Sequence, residues 1–283
     1  MKILVTGSNG QLGSELQHLS KEQAELTFDF TDYPGLDITS TEQVEAAFSE
    51  GNYDFCINCA AYTAVDKAEE ERENCDRINV LGSKVLAEAC QKHHVVLIHI
   101  STDFVFDGTS SRPLKEDQAT APVNYYGESK LNGEKEVMKA MDTYFIFRTS
   151  WLYSTFGNNF VKTMIRLSES RDELNVIADQ IGSPTYARDL AQSILAIINS
   201  GSKAYGLYHY SNEGVASWYD FTCAIFEYKD INTTVHPIPT EKYPTPAARP
   251  HYSVMDKSKY TETFGESIPH WRTSLRQCLA ALD

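Results

Sequence analysis

A tyrosine and a lysine four residues apart can carry acid–base chemistry. Tyr126 and Lys130 stand in the run Pro122–Lys130, and on a helix residues four apart share a face. A lysine ammonium beside a phenol favours the phenolate and lowers its pKa toward neutrality. The spacing alone is weak evidence, since a chain with 16 tyrosines is expected to contain roughly one such pair by chance. Its surroundings in the sequence therefore decide the interpretation.

Hydroxyl residues stand at the end of an apolar run that precedes this pair. The run Val95–Ile100 reads as a strand and leads into Ser101 and Thr102. In a parallel sheet the carboxyl ends of the strands face the ligand crevice. Thr102 and Tyr126 can then hold one carbonyl oxygen between them. A strand-terminal Ser-Thr pair is equally typical of a helix cap or a turn, so both interpretations stay open.

A glycine-rich turn follows the first apolar run. Strand Lys2–Thr6 leads into a GxxGxxG spacing that opens an amphipathic helix. Glycines let the backbone approach a pyrophosphate, and the helix N-terminus offers unpaired N–H groups. A plain strand–helix turn is the alternative, but the position favours a dinucleotide site. The residues of this turn predicted to bind cofactor are Gly7, Asn9, Gly10, Gln11, Leu12 and Gly13.

An acidic residue near the end of the second strand normally binds the ribose hydroxyls of a dinucleotide. Asp32 is the residue predicted for this role. An acid there repels the additional phosphate of NADP and favours NADH, whereas a solvated loop aspartate would leave the choice open.

The elements that must position these residues follow a βαβ rhythm. We predict an α/β fold: a Rossmann-type doubly wound parallel sheet with a smaller, loop-rich substrate-binding domain. The first domain spans residues 1–150, and the second, residues 151–283, is partly interleaved with it. The predicted strands are Lys2–Thr6, Leu26–Phe30, Phe55–Ala60, Val95–Ile100, Tyr144–Arg148 and Gly206–Tyr210. The predicted helices include Asn79–Gln91, Ser217–Phe226 and Trp271–Leu282.

Composition narrows the class of protein. The formal net charge is −14, which argues against a nucleic-acid partner because such binders carry a basic face. No apolar stretch approaches the roughly 20 residues that span a bilayer, so we expect no membrane partner and a cytoplasmic location. Cysteines in that compartment are reduced thiols. Cys56 and Cys59 have CxxC spacing but lie in a predicted buried strand, so we interpret them as core residues.

Seven motifs together carry a family resemblance. They are Gly7–Gly13, Asn58–Glu69, Ser101–Phe106, Tyr126–Lys130, Arg148–Trp151, Asp179–Thr185 and Tyr243–Pro250. The chain resembles the extended short-chain dehydrogenase/reductase superfamily nearly end to end. Within it, the chain is similar to the branch that reduces the 4-keto group of dTDP-4-dehydro-L-rhamnose to give dTDP-L-rhamnose.

The resemblance implies roles for particular residues. NADH or NADPH delivers hydride to C4, Tyr126 donates the proton, Thr102 polarises the carbonyl, and Lys130 holds the nicotinamide ribose while lowering the tyrosine pKa. Further cofactor contacts are implied for Asp37, Ile38, Ala61, Tyr62 and Thr63. The sugar nucleotide is expected to contact Thr102, Asp103, Trp151 and Arg249. The guanidinium fork of Arg249 suits diphosphate oxygens.

Several alternatives belong to the same fold. Similar sugar-nucleotide dehydratases carry an Asp-Glu pair after the threonine, but here Phe104 follows Asp103, which favours simple reduction. A 4-epimerase, a GDP-sugar reductase and a non-catalytic regulatory subunit remain rivals, although the last class typically loses the Tyr/Lys pair. Some reductases of this branch bind Mg²⁺ at a dimer contact. Glu15 suits that role but Arg188 precedes Asp189, so we predict no metal and retain a homodimer as a candidate assembly.

Overall fold

A six-stranded parallel sheet forms the centre of the structure, a computed structural model that describes residues 1–282. Its strands lie in the spatial order β10-β5-β4-β3-β1-β2. The strands are β1 Lys2–Thr6, β2 Thr27–Phe30, β3 Phe55–Asn58, β4 Val96–Thr102, β5 Tyr144–Thr149 and β10 Gly206–His209. Chain order reverses between β1 and β3, and ligand crevices form at such a switch point.

Helices cover both faces of this sheet. They are α1 Gln11–Ser20, α2 Thr41–Gly51, α3 Val65–Ala68, α4 Arg72–Asp76, α5 Gly82–His93, α6 Tyr125–Ala140 and α8 Ala187–Ser200. On one face, Leu16 of α1 packs with Ile194 of α8. On the other face, Phe48 of α2, Leu86 of α5 and Val137 of α6 share a second core. This arrangement confirms the predicted Rossmann-type doubly wound sheet.

A smaller layer is built from short strand pairs and helices of the second half of the chain. Its strands are β6 Leu152–Tyr153, β7 Glu173–Ile177, β8 Ile181–Gly182, β9 Thr185–Tyr186, β11 Ala216–Ser217 and β12 Thr234–Ile238. Its helices are α7 Phe160–Ser168, α9 Trp218–Tyr228 and α11 Trp271–Ala280. Phe221 and Trp271 lie at the centre of its core. The same half supplies β10, α8 and a further helix, α10 Ser258–Phe264, to the main sheet and its core, so a division at residue 150 does not coincide with the edge of that sheet.

The six predicted strands are present with bounds shifted by at most two residues. The predicted helix Asn79–Gln91 differs more, because a π-helical segment, Arg77–Leu81, precedes α5. Asn79 lies in this segment and is buried. Its side chain bonds both the backbone N–H and the carbonyl of Tyr62. The local unwinding thus places an amide where it fixes the loop that follows β3, and π-helical turns often occur at such functional positions.

No helix within residues 1–282 is both long and apolar enough to cross a membrane. The same residues contain no grouping of three or more His, Cys, Asp or Glu side chains suited to a metal ion.

Candidate active site

A cleft of about 880 Å³ opens at the carboxyl edge of the main sheet. The β1–α1 turn and the residues that follow β2, β3, β4 and β5 all line it. The predicted site residues that line the cleft are Gly7, Gly10, Gln11, Leu12, Asp32, Asp37, Ile38, Ala61, Thr63, Thr102, Asp103, Tyr126, Lys130, Trp151 and Arg249. Three others, Asn9, Gly13 and Tyr62, do not line it.

The glycine turn has the geometry that a dinucleotide pyrophosphate requires. Gly7 has φ +64°, and a Cβ there would lie 2.4 Å from the backbone nitrogen of Ala60, so only glycine fits. Helix α1 begins at Gln11 with no side chain capping it, which leaves backbone N–H groups for an anion. Gly13 has a packing role instead, because a Cβ there would lie 2.5 Å from the Cα of Ser8.

Asp32 lies beside this turn, but its carboxylate is already engaged. One oxygen accepts from the backbone N–H of Asn9 at 2.9 Å and the other from that of Tyr33 at 2.8 Å. Asn9 therefore contributes by bracing Asp32 and not by lining the cleft. Carboxylate oxygens have further lone pairs for ribose hydroxyls, so the fit to a dinucleotide is retained.

The far end of the cleft is polar and carries a cation that the sequence patterns did not indicate. Asp37 accepts from the backbone and the hydroxyl of Thr39, and these bonds lower its pKa. Arg77 also lines the cleft and donates to the Thr39 hydroxyl at 3.0 Å. Tyr62 turns away, since its hydroxyl donates to Glu71 at 2.8 Å. Asp37, Thr39 and Arg77, which line this end of the cleft, suit the adenosine part of a dinucleotide.

Lys130 is held beneath the cleft on helix α6. Asn124 caps this helix by accepting from the backbone N–H of Gly127 at 2.8 Å. The Lys130 ammonium donates to the carbonyl oxygen of Ile100 at 2.6 Å and is only 2% exposed. Burial lowers the pKa of Lys130 to about 8, while the nearby carboxylate of Glu134 opposes that shift. The lysine is thus fixed beside the end of β4.

Tyr126 corrects one expectation. Burial raises the pKa of its phenol above the ordinary value, and the hydrogen bond with Thr102 only partly opposes this. Its ring packs edge-on against Phe104 with centroids 5.9 Å apart. The lowered pKa expected from Lys130 is therefore wrong, because desolvation outweighs the contributions that lower it. The phenol keeps its proton near neutral pH, as a general acid must.

Thr102 ends β4 and caps a turn, which is one of the two interpretations left open by its sequence; its contact with a carbonyl oxygen stays a prediction. Its hydroxyl oxygen accepts from the backbone N–H of Phe104 at 3.2 Å, which caps a short 3₁₀ turn. The hydroxyl also donates to Asp103 at 3.2 Å. It is within hydrogen-bonding reach of the Tyr126 hydroxyl as well. Burial raises the pKa of Asp103 to about 7. Its Oδ2 has no hydrogen-bond partner in the part of the chain that the structure describes, and it can accept one from a ligand.

A buried ion pair supports the part of the cleft formed by Thr102 and Lys130, and no sequence motif predicted this pair. Glu134 lies one turn after Lys130, and Arg148 donates to it through Nε at 2.9 Å and Nη2 at 2.7 Å. Ser101, the neighbour of Thr102, donates to the same carboxylate. Glu134 is 1% and Arg148 3% exposed. The pair links α6, which carries Tyr126 and Lys130, to β5 and to β4, which ends at Thr102.

The substrate end of the cleft combines one cation with two aromatic rings. Arg249 forms a two-point ion pair with Asp66. Trp151 stacks on Trp218, with centroids 3.5 Å apart and planes 7° from parallel, and both line the cleft. The sequence pointed to Trp151 but not to Trp218. The one available signal was an aromatic residue directly after Ser217, at the predicted start of a helix.

The CxxC cysteines differ from one another. Cys56 is fully buried in β3, in agreement with the prediction. Cys59 is only partly buried and lines the cleft, so its interpretation as a core residue was incomplete. Burial raises the pKa of its thiol, which leaves it a poor nucleophile.

Comparisons with known proteins agree along the whole chain. The family profile "RmlD substrate binding domain" matches residues 1–283. A curated dTDP-4-dehydrorhamnose reductase from Aggregatibacter actinomycetemcomitans is 39% identical over 99% of this chain and 98% of that protein. A crystal structure of a dTDP-4-dehydrorhamnose reductase from Clostridium acetobutylicum is 43% identical with a TM-score of 0.96, covering 100% of this chain and 99% of that one. The Bacillus anthracis enzyme, solved in complex with NADP, is 42% identical with a TM-score of 0.95 and 99% coverage of both chains.

The chain is therefore an NAD(P)H-dependent oxidoreductase with a Rossmann-type short-chain dehydrogenase/reductase fold. Its likeness to the reductases extends through both halves, including the loop-rich half where related enzymes diverge. The chain belongs to the dTDP-4-dehydrorhamnose reductase family.

Proposed function

We propose that this chain reduces the 4-keto group of dTDP-4-dehydro-L-rhamnose to give dTDP-L-rhamnose, using NADPH or NADH. The observation that carries the proposal is the contact between Tyr126 and the Thr102 hydroxyl in a cleft that the glycine turn also lines. The names of its close relatives supply the substrate. The glycine turn, the open N-terminus of α1 and the adenosine-end residues fit a nicotinamide dinucleotide.

When bound, the nicotinamide supplies a hydride to C4 of the sugar. The chain supplies the proton. The Thr102 hydroxyl turns its single hydrogen from Asp103 to the ketone oxygen, and Tyr126 transfers its phenolic proton to the same oxygen. One hydride and one proton convert the ketone into an alcohol, and the tyrosinate regains its proton from solvent. General acid catalysis of this kind contributes typically 10²–10⁴-fold to the rate.

Lys130 performs two tasks in this scheme. Its ammonium donates one hydrogen bond to the carbonyl of Ile100. Its two remaining N–H donors can bind ribose hydroxyls of the cofactor. Its charge also stabilises the tyrosinate that forms after proton transfer. The Glu134 carboxylate on the same helix favours the charged lysine.

We assign the sugar-nucleotide contacts to the other end of the cleft. Asp103 offers an unpartnered carboxylate oxygen to a sugar hydroxyl, Trp151 supplies an aromatic edge, and Arg249 binds the diphosphate. The absence of a carboxylate at Phe104 supports reduction over dehydration, because that chemistry requires a base for a ring proton.

The direct test is to mix the purified chain with dTDP-4-dehydro-L-rhamnose and either NADPH or NADH, and to follow the absorbance of the reduced nicotinamide. We expect one equivalent of cofactor oxidised for each equivalent of dTDP-L-rhamnose formed. An epimerase would convert substrate without net oxidation. A regulatory subunit would bind cofactor without turnover. Either outcome would overturn the proposal.

Two finer statements accompany it. We place the reaction in the cytoplasm, where NAD(P)H is available and the cysteines stay reduced. The homodimer and the lack of a nucleic-acid partner remain predictions. Light scattering coupled to size-exclusion chromatography tests the homodimer. A binding titration with duplex DNA at low salt tests the lack of a nucleic-acid partner.

A further inference from the structure

Trp151 has a backbone conformation that its own side chain disfavours. Its φ is +47°, in the left-handed region, which is strained for a non-glycine residue. Such a conformation persists only where its surroundings determine it. The residue directly follows Ser150, whose hydroxyl donates to the carbonyl of Ser183 at 2.7 Å. The strained backbone is thus tied to the segment that contains Gly182.

Gly182 and Trp218 enclose the Trp151 indole from its two faces. A Cβ built on Gly182 would lie 2.8 Å from Cε2 and 2.9 Å from both Cζ2 and Nε1, so the Gly182 backbone lies flat against the ring. Trp218 stacks in parallel at 3.5 Å and must occupy the opposite face. A ligand in the cleft can therefore meet Trp151 only at its edge.

The two indoles differ in their hydrogen bonding. Trp218 Nε1 donates to Gln180 Oε1 at 3.2 Å, and the Gln180 amide in turn donates to the hydroxyl of Thr240 at 3.2 Å. Phe160 packs against Trp218 with centroids 4.6 Å apart. Trp151 Nε1, in contrast, donates no hydrogen bond to any residue that the structure describes. Trp218 Nε1 is thus held by a hydrogen bond, whereas Trp151 Nε1 has no partner among the described residues.

We infer that Trp218 is a positioning residue that fixes Trp151, so that the indole edge of Trp151 and its free N–H read the sugar of the substrate. Gly182 performs the same task from the other face. This inference rests on the proposed function, because it identifies the part of the sugar nucleotide that these residues recognise. A purely structural Trp218 would stabilise the second core without changing recognition of the sugar.

The test compares Trp218→Leu with Tyr219→Leu. Tyr219 is the next residue on α9, is also partly buried, packs on the same core and does not line the cleft. For Trp218→Leu we expect the KM for the sugar nucleotide to rise by about tenfold, equivalent to about 1.4 kcal/mol. The kcat and the Kd for NADPH should change by less than about twofold. Tyr219→Leu should leave the KM for the sugar nucleotide unchanged.

A spectroscopic readout separates positioning from stability. Two parallel indoles this close should give an exciton couplet in far-ultraviolet circular dichroism. Binding of the product dTDP-L-rhamnose should perturb the couplet in the unmodified chain. Trp218→Phe keeps an aromatic ring and serves as the second variant if Trp218→Leu does not fold. It should abolish the couplet and raise the KM less than Trp218→Leu does.

Gly182→Ala provides the complementary variant, because its added methyl presses on Trp151 and its backbone φ is not left-handed. We expect it to raise the KM for the sugar nucleotide while the Kd for NADPH stays constant. The inference is overturned if the unmodified chain turns over and none of the Trp218 or Gly182 variants changes that KM. It is also overturned if Tyr219→Leu raises the KM equally. Lack of turnover by the unmodified chain would instead overturn the proposed function.

Discussion

Asp66 holds Arg249 through both carboxylate oxygens, with Oδ2 2.8 Å from Nη2 and Oδ1 3.0 Å from Nη1. Asp66 lies on α3, after the third strand, whereas Arg249 lies near the end of the chain. The pair therefore ties the C-terminal segment to the cofactor-binding half across the cleft. The hydrogen bond from Arg249 is the main reason that the pKa of Asp66 is lowered.

Arg249→Lys should raise the KM for the sugar nucleotide by roughly tenfold or more, because an ammonium cannot reproduce the two-point guanidinium contacts. Steady-state kinetics with each substrate varied in turn measures this effect. The KM for NADPH should not move, and Arg272→Lys, a half-exposed arginine outside the cleft, serves as the control. An unchanged KM for the sugar nucleotide would remove Arg249 from the diphosphate site.

Tyr126→Phe should lower kcat by roughly 10²-fold or more through loss of the general acid. Tyr125→Phe is the matched control, since that hydroxyl bonds Asp76 and the residue does not line the cleft. The Kd for NADPH, measured by fluorescence titration, should stay constant in both variants. Near-normal turnover by Tyr126→Phe would contradict the assigned role.

Lys130 should make stability depend on pH in a particular direction. Burial lowers its pKa in the folded chain to about 8, below the ordinary value of 10.5. Between these values the unfolded chain binds more protons than the folded one, so this group increases stability as pH rises from about 8 to 10.5. Below pH 8 the buried lysine is charged in the folded chain, and its desolvation lowers the free energy of unfolding by the full amount.

Lys130→Met should therefore be inactive yet more stable at pH 7, by up to about 3 kcal/mol. Its excess stability should shrink as pH rises toward 10.5. Urea unfolding at a series of pH values measures both effects. A variant that is less stable at every pH would show that the contact with Ile100 outweighs the burial penalty.

Gly10→Ala should separate cofactor binding from folding. A Cβ at Gly10 would meet only the carbonyl of Gly7, at 3.3 Å, so the chain should fold normally. The added methyl intrudes where the backbone approaches a pyrophosphate, and we expect the Kd for NADPH to rise about tenfold. Gly13→Ala should instead destabilise the chain by about 1–3 kcal/mol through overpacking. Calorimetric binding and thermal unfolding of the two variants test this contrast.

The sequence predicted most of the main sheet and many of the residues that line the cleft, because local chemistry determines both. The turn after β1 needs glycine at position 7. A single helix is enough to place Tyr126 and Lys130 on one face. The strand bounds follow from apolar runs with polar ends. These features need no knowledge of distant contacts.

The unpredicted features depend on contacts between distant parts of the chain. Trp218 acquires its place only when α9 packs beside Trp151. The partner of Arg249 lies on another element, and nothing near Arg249 in the sequence identifies Asp66. The pKa of Tyr126 is raised by burial that only the assembled cleft provides. The family resemblance implied a cofactor contact for Tyr62, but it gave no sign that the amide of Asn79 on a π-helical turn fixes the Tyr62 backbone.

The position of β10 at one edge of the main sheet affects how the chain folds. During synthesis, β5 is complete well before β10 and α8 emerge from the ribosome. Until then, the pairing edge of β5 and the apolar face of α1 are exposed, and unpaired edges promote aggregation. Pairings between distant segments also slow folding. A fragment that ends near residue 150 would keep these surfaces permanently exposed, so the nascent chain relies on its second half to make its first half soluble.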